Sequence, residues 1–221
     1  MRGWFVTGTD TGVGKTRASV ALLHALRRQG VAAVGMKPVA AGTDAAGRNE
    51  DVDALRAASA LQVEASLANP YLLPDPVSPH IAARNAGQTI DIGLLQQRCQ
   101  ALARRAQAVV VEGAGGFHVP LDDTRTGADL AGALGLPVVL VVGLRLGCLN
   151  HALLTQEAIA ARGLRLAGWV ANLLDPAMPE REANLAYLRQ RLAAPLLAAW
   201  PWDPQADAAT LTLQLPLSAD A

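Results

Sequence analysis

GTDTGVGKT, residues 8–16, is the stretch on which the reading of this chain turns. Gly14-Lys15-Thr16 closes the phosphate-loop pattern G-x-x-x-x-G-K-[ST], but five residues separate Gly8 from Gly14 where the pattern has four. The stretch lies between a short apolar run, Trp4–Thr7, and a run of helical period, Lys15–Gln29, that ends at Gly30. Strand, glycine loop and helix form the context a phosphate loop requires. Backbone N–H groups from Thr11 through Gly12, Val13 and Gly14 to Thr16 would cradle phosphate oxygens at a helix N-terminus. Lys15 would reach the β- and γ-phosphates, and the Thr16 hydroxyl would coordinate Mg2+. Arg17, next in line, counts among the nucleotide-binding positions. The extra residue does no harm to this reading, because the phosphate nest is made by the last six residues.

Outward from the loop, strands and helices alternate. Expected strands are Val31–Val34, Ala108–Val111, Val138–Val142, Leu166–Ala171 and Leu196–Trp200. Expected helices are Val52–Leu61, Ile92–Arg105, Ala128–Leu134, Leu149–Ala161 and Glu180–Leu192. Residues 69–80, NPYLLPDPVSPH, hold four prolines and read as an irregular connection. LTLQLPL near the end reads as a possible last edge strand. Short strands apolar on both faces point to a doubly wound α/β fold with a mostly parallel sheet flanked by helices, a P-loop NTPase type, with residues 1–221 as one domain. Ligands of such folds bind at the carboxyl ends of the strands. GTDTGVGKT, KPVAAG, EGAGG, Asn172 and Pro201 all fall at such ends.

Composition narrows the class. The 221 residues carry 19 Lys plus Arg against 19 Asp plus Glu, so the formal charge is zero and the basic footprint of a nucleic-acid or anionic-membrane partner is missing. No apolar stretch is long enough to span a bilayer, and no secretory leader is visible. Cys99 and Cys148 make no disulfide framework, which fits a cytoplasmic location.

Of the 19 Lys plus Arg, only Lys15 and Lys37 are lysines. In a chain that otherwise uses arginine, these two mark places that need a compact ammonium. Lys37 opens KPVAAG at a strand end, where Pro38 turns the chain outward and the amine can face the phosphate-loop ligand. Glu112 directly follows Val109-Val110-Val111, the usual position of a carboxylate that helps hold Mg2+. Gly113, Gly115 and Gly116 behind it permit close backbone approach to a ligand, and Gly113, Ala114 and Gly115 count among the nucleotide-binding positions. Glu50, Asp51 and Asp53 are further metal acids among which the run itself does not choose. GCLNHALLT reads as the start of a helix packing on the sheet. His24 reads as a core residue, and the four histidines have no metal-ligand spacing. Together these residues describe an enzyme that binds Mg-ATP and works on its γ-phosphate.

GTDTGVGKT, KPVAAG, NPYLLPDPVSPH, EGAGG, VVGLRLGCLNHALLT, GWVAN and the closing PW resemble the dethiobiotin synthetase family in order and spacing, from Phe5 to Trp202. The lengthened phosphate loop is that family's form. The resemblance implies a ligase in which 7,8-diaminononanoate takes up CO2 as a carbamate, the carbamate attacks the γ-phosphate of ATP, and the second amine closes a ureido ring. It implies Lys15 and Lys37 as catalytic groups and Thr16, Asp53 and Glu112 as metal ligands. Thr11, Lys37 and Ala41 would contact the diamine. Asn172 would read the adenine, with Pro201, Trp202 and Asp203 lining its site. The family is a homodimer, so Cys148, Leu149, Asn150 and Tyr187 would hold the substrate carboxylate from the partner subunit. This chain departs from some members at Gly12, where they carry glutamate, and at Ala41, where they carry serine.

Two rivals share the fold. Partition or site-selection switch ATPases carry an early lysine in a KGGxGKT loop, where this chain has Asp10. Amidoligases acting on larger cofactor precursors carry a glutamine-hydrolysing domain, for which 221 residues leave no room.

Overall fold

The computed structural model describes residues 2–216. Six parallel strands form the central sheet: β1 (Gly3–Gly8), β2 (Ala33–Met36), β5 (Ala108–Gly116), β6 (Val138–Leu144), β7 (Leu166–Leu173) and β8 (Leu196–Trp200), in the order β2-β5-β1-β6-β7-β8. A separate parallel pair joins β3 (Val39–Ala41) to β4 (Tyr71–Leu73). Helices α1 (Lys15–Arg28), α2 (Glu50–Ala58), α3 (Ala65–Ala68), α4 (Pro79–Asn85), α5 (Ile92–Ala103), α6 (Gly127–Leu134), α7 (Cys148–Ala161) and α8 (Arg181–Arg191) complete the chain. Every residue of β1, β6 and β7 is buried, as two-sided cover by helices demands. One apolar cluster centres on Phe5, Met36, Leu95 and Trp169, and the other on Trp4, Leu22, Leu26 and Val110.

The order β2-β5-β1-β6 puts β1 between β5 and β6, so the phosphate loop is framed by the ends of two other strands. Its first amide, Thr9 N–H, donates to the Val141 carbonyl at 3.0 Å. β1 and β5 stay in register until Glu112 and then shift, which carries EGAGG along the mouth of the loop.

Four details differ from the sequence reading. The second strand begins at Ala33, two residues later than expected, because Gly30 and Val31 still bond back into the last turn of α1. Residues 69–80 are not wholly irregular: Tyr71-Leu72-Leu73 pairs with Val39-Ala40-Ala41, and Pro79 starts α4. Proline is well placed in a first helical turn, where its missing N–H would have no partner. EGAGG continues β5 instead of leaving it. Residues 211–216 of LTLQLPL form no strand; Gln214 N–H reaches the Leu197 carbonyl at 3.0 Å and Leu213 is buried, while residue 217 lies outside the described residues.

Candidate functional site

The loop between β1 and α1 is held by its own glycines. Gly12 and Gly14 take φ of 72° and 96°, a region that side-chain-bearing residues avoid. A Cβ on Gly14 would lie 2.5 Å from Asn172 Nδ2, which donates to the Val13 carbonyl at 2.9 Å. Asn172, at the end of β7, therefore braces the loop from beneath, while its Oδ1 is buried with no hydrogen-bond partner among the described residues. No side chain caps α1 among the described residues. The amides of Lys15, Thr16 and Arg17 are thus open to an anion.

Beneath the loop Lys37 and Thr16 meet two acids, Asp51 and Glu112. Lys37 Nζ donates to Glu112 Oε1 at 2.5 Å and to Asp51 Oδ2 at 2.8 Å. Thr16 Oγ1 lies 2.5 Å from Asp51 Oδ1 and 2.8 Å from Glu112 Oε1, and its single proton can serve only one of them at a time. Glu112 is fully buried, Lys37 is 5% exposed and Lys15 7%. Burial alone would lower the Lys37 ammonium, but Glu112 and Asp51 outweigh it and hold the amine above the ordinary lysine value. Burial would raise Asp51, yet the Lys37 charge and the bonds from Lys37 and Thr16 hold it below the usual carboxylate range. Burial, and then the charge of Lys37, push Lys15 down to about 8. Lys15 Nζ donates to the Asp10 carbonyl at 2.9 Å.

The cluster fits Mg2+. Glu112 Oε2 is buried with no hydrogen-bond partner among the described residues, so an oxygen donor remains unspent beside Thr16 Oγ1 and Asp51. Among the described residues no three His, Cys, Asp or Glu side chains gather to hold a metal. Two carboxylates and a hydroxyl are nonetheless what Mg2+ uses when substrate phosphates supply the rest of its octahedron.

The structure corrects the choice of acid. Asp51, not Asp53, joins Thr16, Lys37 and Glu112, and Asp53 is exposed. Two residues apart on α2 means about 200° around the helix, so the two carboxylates cannot share a face. The cap decides which one turns inward: Asn49 accepts from Val52 N–H at 3.2 Å and donates to the Gly42 carbonyl at 2.7 Å, fixing the start of α2 against KPVAAG. His24 is corrected too; it is only partly buried and lines a groove of about 740 Å3 with Arg17 and Asp207.

Lys15, Thr16, Lys37, Asp51 and Ala41 open on one cleft of about 690 Å3, with Thr11, Gly12 and Gly115 on its rim. Pro76-Val77-Ser78-Pro79 forms a wall of this cleft, which gives the proline-rich segment a place in the site. Pro201, Trp202 and Asp203 lie exposed beyond β8, and the Asp203 carbonyl accepts from Arg17 Nη1 at 3.0 Å. Cys148, Leu149, Asn150 and Tyr187 do not reach this cleft. Cys148 is buried at the start of α7, whereas Tyr187 on α8 is exposed and lies against Arg191.

Two participants escaped the sequence reading. Asn69 Nδ2 donates to the Lys37 carbonyl at 2.7 Å, and Lys37 N–H donates to Ala68 at 2.8 Å, so the backbone of Lys37 is clamped. Asp10 accepts from Thr11 N–H at 2.7 Å and pairs with Arg145, tying the phosphate loop to the segment before α7. Asn69 stands in a proline-flanked turn where an asparagine raises no suspicion, and the Asp10 pair spans 135 residues of sequence.

Comparisons with known proteins show what the chain is similar to. A family model described as an AAA domain matches residues 2–210. The ATP-dependent dethiobiotin synthetase BioD of Aromatoleum aromaticum is 54% identical over 219 residues, 98% of this chain and 97% of the relative. That of Xanthomonas axonopodis pv. citri is 55% identical over 218 residues, 96% of this chain and 97% of the relative. Among solved structures, the MinC:MinD cell division complex of Aquifex aeolicus aligns with a TM-score of 0.59 at 15% identity, over 93% of this chain and 83% of that one. FtsY of Thermotoga maritima aligns at 0.53 and 16% identity, over 96% and 64%. At such identities the structural likeness speaks to the fold alone, a mostly parallel P-loop sheet flanked by helices.

Proposed function

This chain belongs to the family of ATP-dependent dethiobiotin synthetases, and we propose that it forms dethiobiotin from 7,8-diaminononanoate, CO2 and Mg-ATP. One amine of the substrate adds to CO2 and loses a proton, giving a carbamate. A carbamate oxygen attacks the γ-phosphorus, and ADP leaves. The second amine then attacks the carbonyl carbon of the carbamic–phosphoric anhydride, phosphate departs with that oxygen, and the ureido ring is closed.

The observation that carries this reading is a second buried lysine, Lys37, sharing the cleft of a P-loop lysine in a chain 54–55% identical to relatives so named. Carbamate and triphosphate are both anions, and bringing them together is the electrostatic problem of the reaction. Lys15 and Lys37 supply two ammonium groups for it. Thr16, Asp51 and Glu112 are the residues we assign to Mg2+, which when bound neutralises phosphate charge. The open amides from Gly12 to Arg17, with Gly113, Ala114 and Gly115, would cradle the phosphates, Val13 among them as part of the loop that Asn172 holds. The unspent Asn172 Oδ1 is an acceptor of the kind an adenine amino group needs, with Pro201 to Asp203 nearby in the fold. Thr11, Lys37 and Ala41 line the room left for the diamine.

A homodimer completes the same reading. Leu146 just before α7, Leu154 on it and Tyr187 on α8 are 91%, 55% and 41% exposed, apolar side chains that a second copy would cover. Cys148, Leu149, Asn150 and Tyr187 would then serve the partner's substrate carboxylate. We place the enzyme in the cytoplasm, in keeping with two buried thiols. No described helix is long and apolar enough to cross a membrane. Phosphate release from Mg-ATP tests the function: it should require both the diamine and bicarbonate, and release indifferent to the diamine would return a switch ATPase to first place.

A further inference from the structure

Arg17 is built into the structure more firmly than a helix-surface residue needs to be. It follows Thr16 in the first turn of α1, so its backbone moves with the phosphate loop. Its guanidinium carbon lies 5.6 Å from the centroid of the Trp200 ring, the last residue of β8, which is 5% exposed. Its Nη1 donates to the Asp203 carbonyl at 3.0 Å, beyond β8. Its Nε and Nη2 are buried and have no hydrogen-bond partner among the described residues. A planar cation stacked on an indole and forked toward a carbonyl is a geometry that lysine cannot reproduce.

The segment that Arg17 grips is otherwise lightly held. Pro201, Trp202 and Asp203 are all exposed, Trp202 by 50%. Further along, Arg28 Nη1 reaches the Ala209 carbonyl at 3.3 Å and Trp200 Nε1 reaches the Thr212 carbonyl at 3.1 Å. The Arg17 bond to Asp203 and its contact with the Trp200 ring tie this segment to the phosphate-loop helix. A groove of about 740 Å3 has Thr16, Arg17 and Asp51 in its lining together with Pro204 and residues 206–209, which follow directly on the segment that Arg17 holds. Arg17 thus stands where the phosphate end of the site gives way to the segment assigned above to the base.

We propose that Arg17 is a positioning residue for nucleotide recognition: by holding Trp200–Asp203 against the first turn of α1, it sets the base-binding end in register with the phosphate loop. This rests on the nucleotide site proposed above. The residue acts on the base end through the segment it holds, so its loss should be felt by ATP and not by a ligand made of phosphates alone.

The test compares binding of Mg-ATP and of Mg-tripolyphosphate by calorimetry to the full chain, for wild type, Arg17→Ala, Arg17→Lys and Arg17→Gln. Wild type should bind ATP more tightly than tripolyphosphate. Arg17→Ala and Arg17→Lys should weaken ATP about tenfold, in line with a desolvated stacked cation, and leave tripolyphosphate within about twofold. Arg17→Gln, planar and still a donor, should recover part of the loss, and across the variants the KM for ATP should rise by a larger factor than kcat falls. Equal weakening of both ligands in Arg17→Ala would make Arg17 a phosphate-binding cation and overturn the proposal, as would unchanged ATP binding. If wild type itself fails to prefer ATP to tripolyphosphate, the base-end assignment falls first. Thermal melts of each variant separate these outcomes from unfolding.

Discussion

The cluster under the phosphate loop and the exposed apolar side chains around α7 and α8 are opposites in construction. In the first, Lys37, Glu112, Thr16 and Asp51 meet within 2.5–2.8 Å, and two of the four are all but sealed from solvent. In the second, Leu146, Leu154 and Tyr187 stand exposed, and Arg191 is set against Tyr187 at 5.8 Å. The difference teaches where the chemistry is self-sufficient. Charges that must face a triphosphate are arranged by this chain alone, while the residues assigned to the substrate's carboxylate tail lie outside that cleft, where the proposed second copy would complete their site.

Glu112→Ala should break the first region most severely. It leaves the buried Lys37 ammonium with Asp51 alone, and loss of one partner from a buried pair costs about 3–5 kcal/mol. Denaturant melts should register that loss, and turnover should vanish with it. Asp51→Asn comes next, with turnover down about a hundredfold or more. Asp53→Asn, two residues away and exposed, should stay within about twofold; equal damage from both would undo the assignment of Asp51. Tyr187→Ala probes the second region and should act more mildly. The KM for the diamine should rise about fivefold to tenfold, as for an interface aromatic worth roughly 1 kcal/mol, with the KM for ATP unchanged. Sedimentation should report a weaker dimer in the same variant, and a rise in the ATP KM instead would join the two regions that this comparison keeps apart.

The smallest effect is expected from Cys99, remote from both regions on α5. Burial pushes its thiol from 9.0 up to about 11. Two units lower the thiolate fraction at pH 8 about a hundredfold. The sign for stability follows: the unfolded thiol ionises first, so as pH rises from about 9 to about 11 the folded state loses ground. Alkylation at pH 8 should spare Cys99 in the folded protein and leave activity intact, and Cys99→Ala should flatten the stability loss between those pH values.

Much of this was legible in the residues. The strand order was not, but the apolar runs within β1, β6 and β7 are short and alternate with helical stretches, as buried parallel strands do, and G-K-T at a strand–helix junction names its own ligand. Lys37 stood out because lysine is scarce. Asp51 did not, because a triplet of acids is ambiguous until a cap fixes the rotation of the helix, and that cap, Asn49, bonds across to Gly42. The strand Tyr71–Leu73 hid among prolines, since a three-residue strand has too short a period to read. The Asp10–Arg145 and Arg17–Asp203 contacts join positions far apart in sequence, and spacing carries no trace of such pairs.

The most direct test follows oxygen. The enzyme is run with 18O-labelled CO2 and 7,8-diaminononanoate in unlabelled water, and the released phosphate is examined by mass spectrometry. The carbamate route transfers one oxygen of CO2 to phosphate in each turnover, so labelled phosphate should appear in step with dethiobiotin. Phosphate free of label, while dethiobiotin forms or while ATP is consumed, would mean that water attacks the γ-phosphate and would contradict the account.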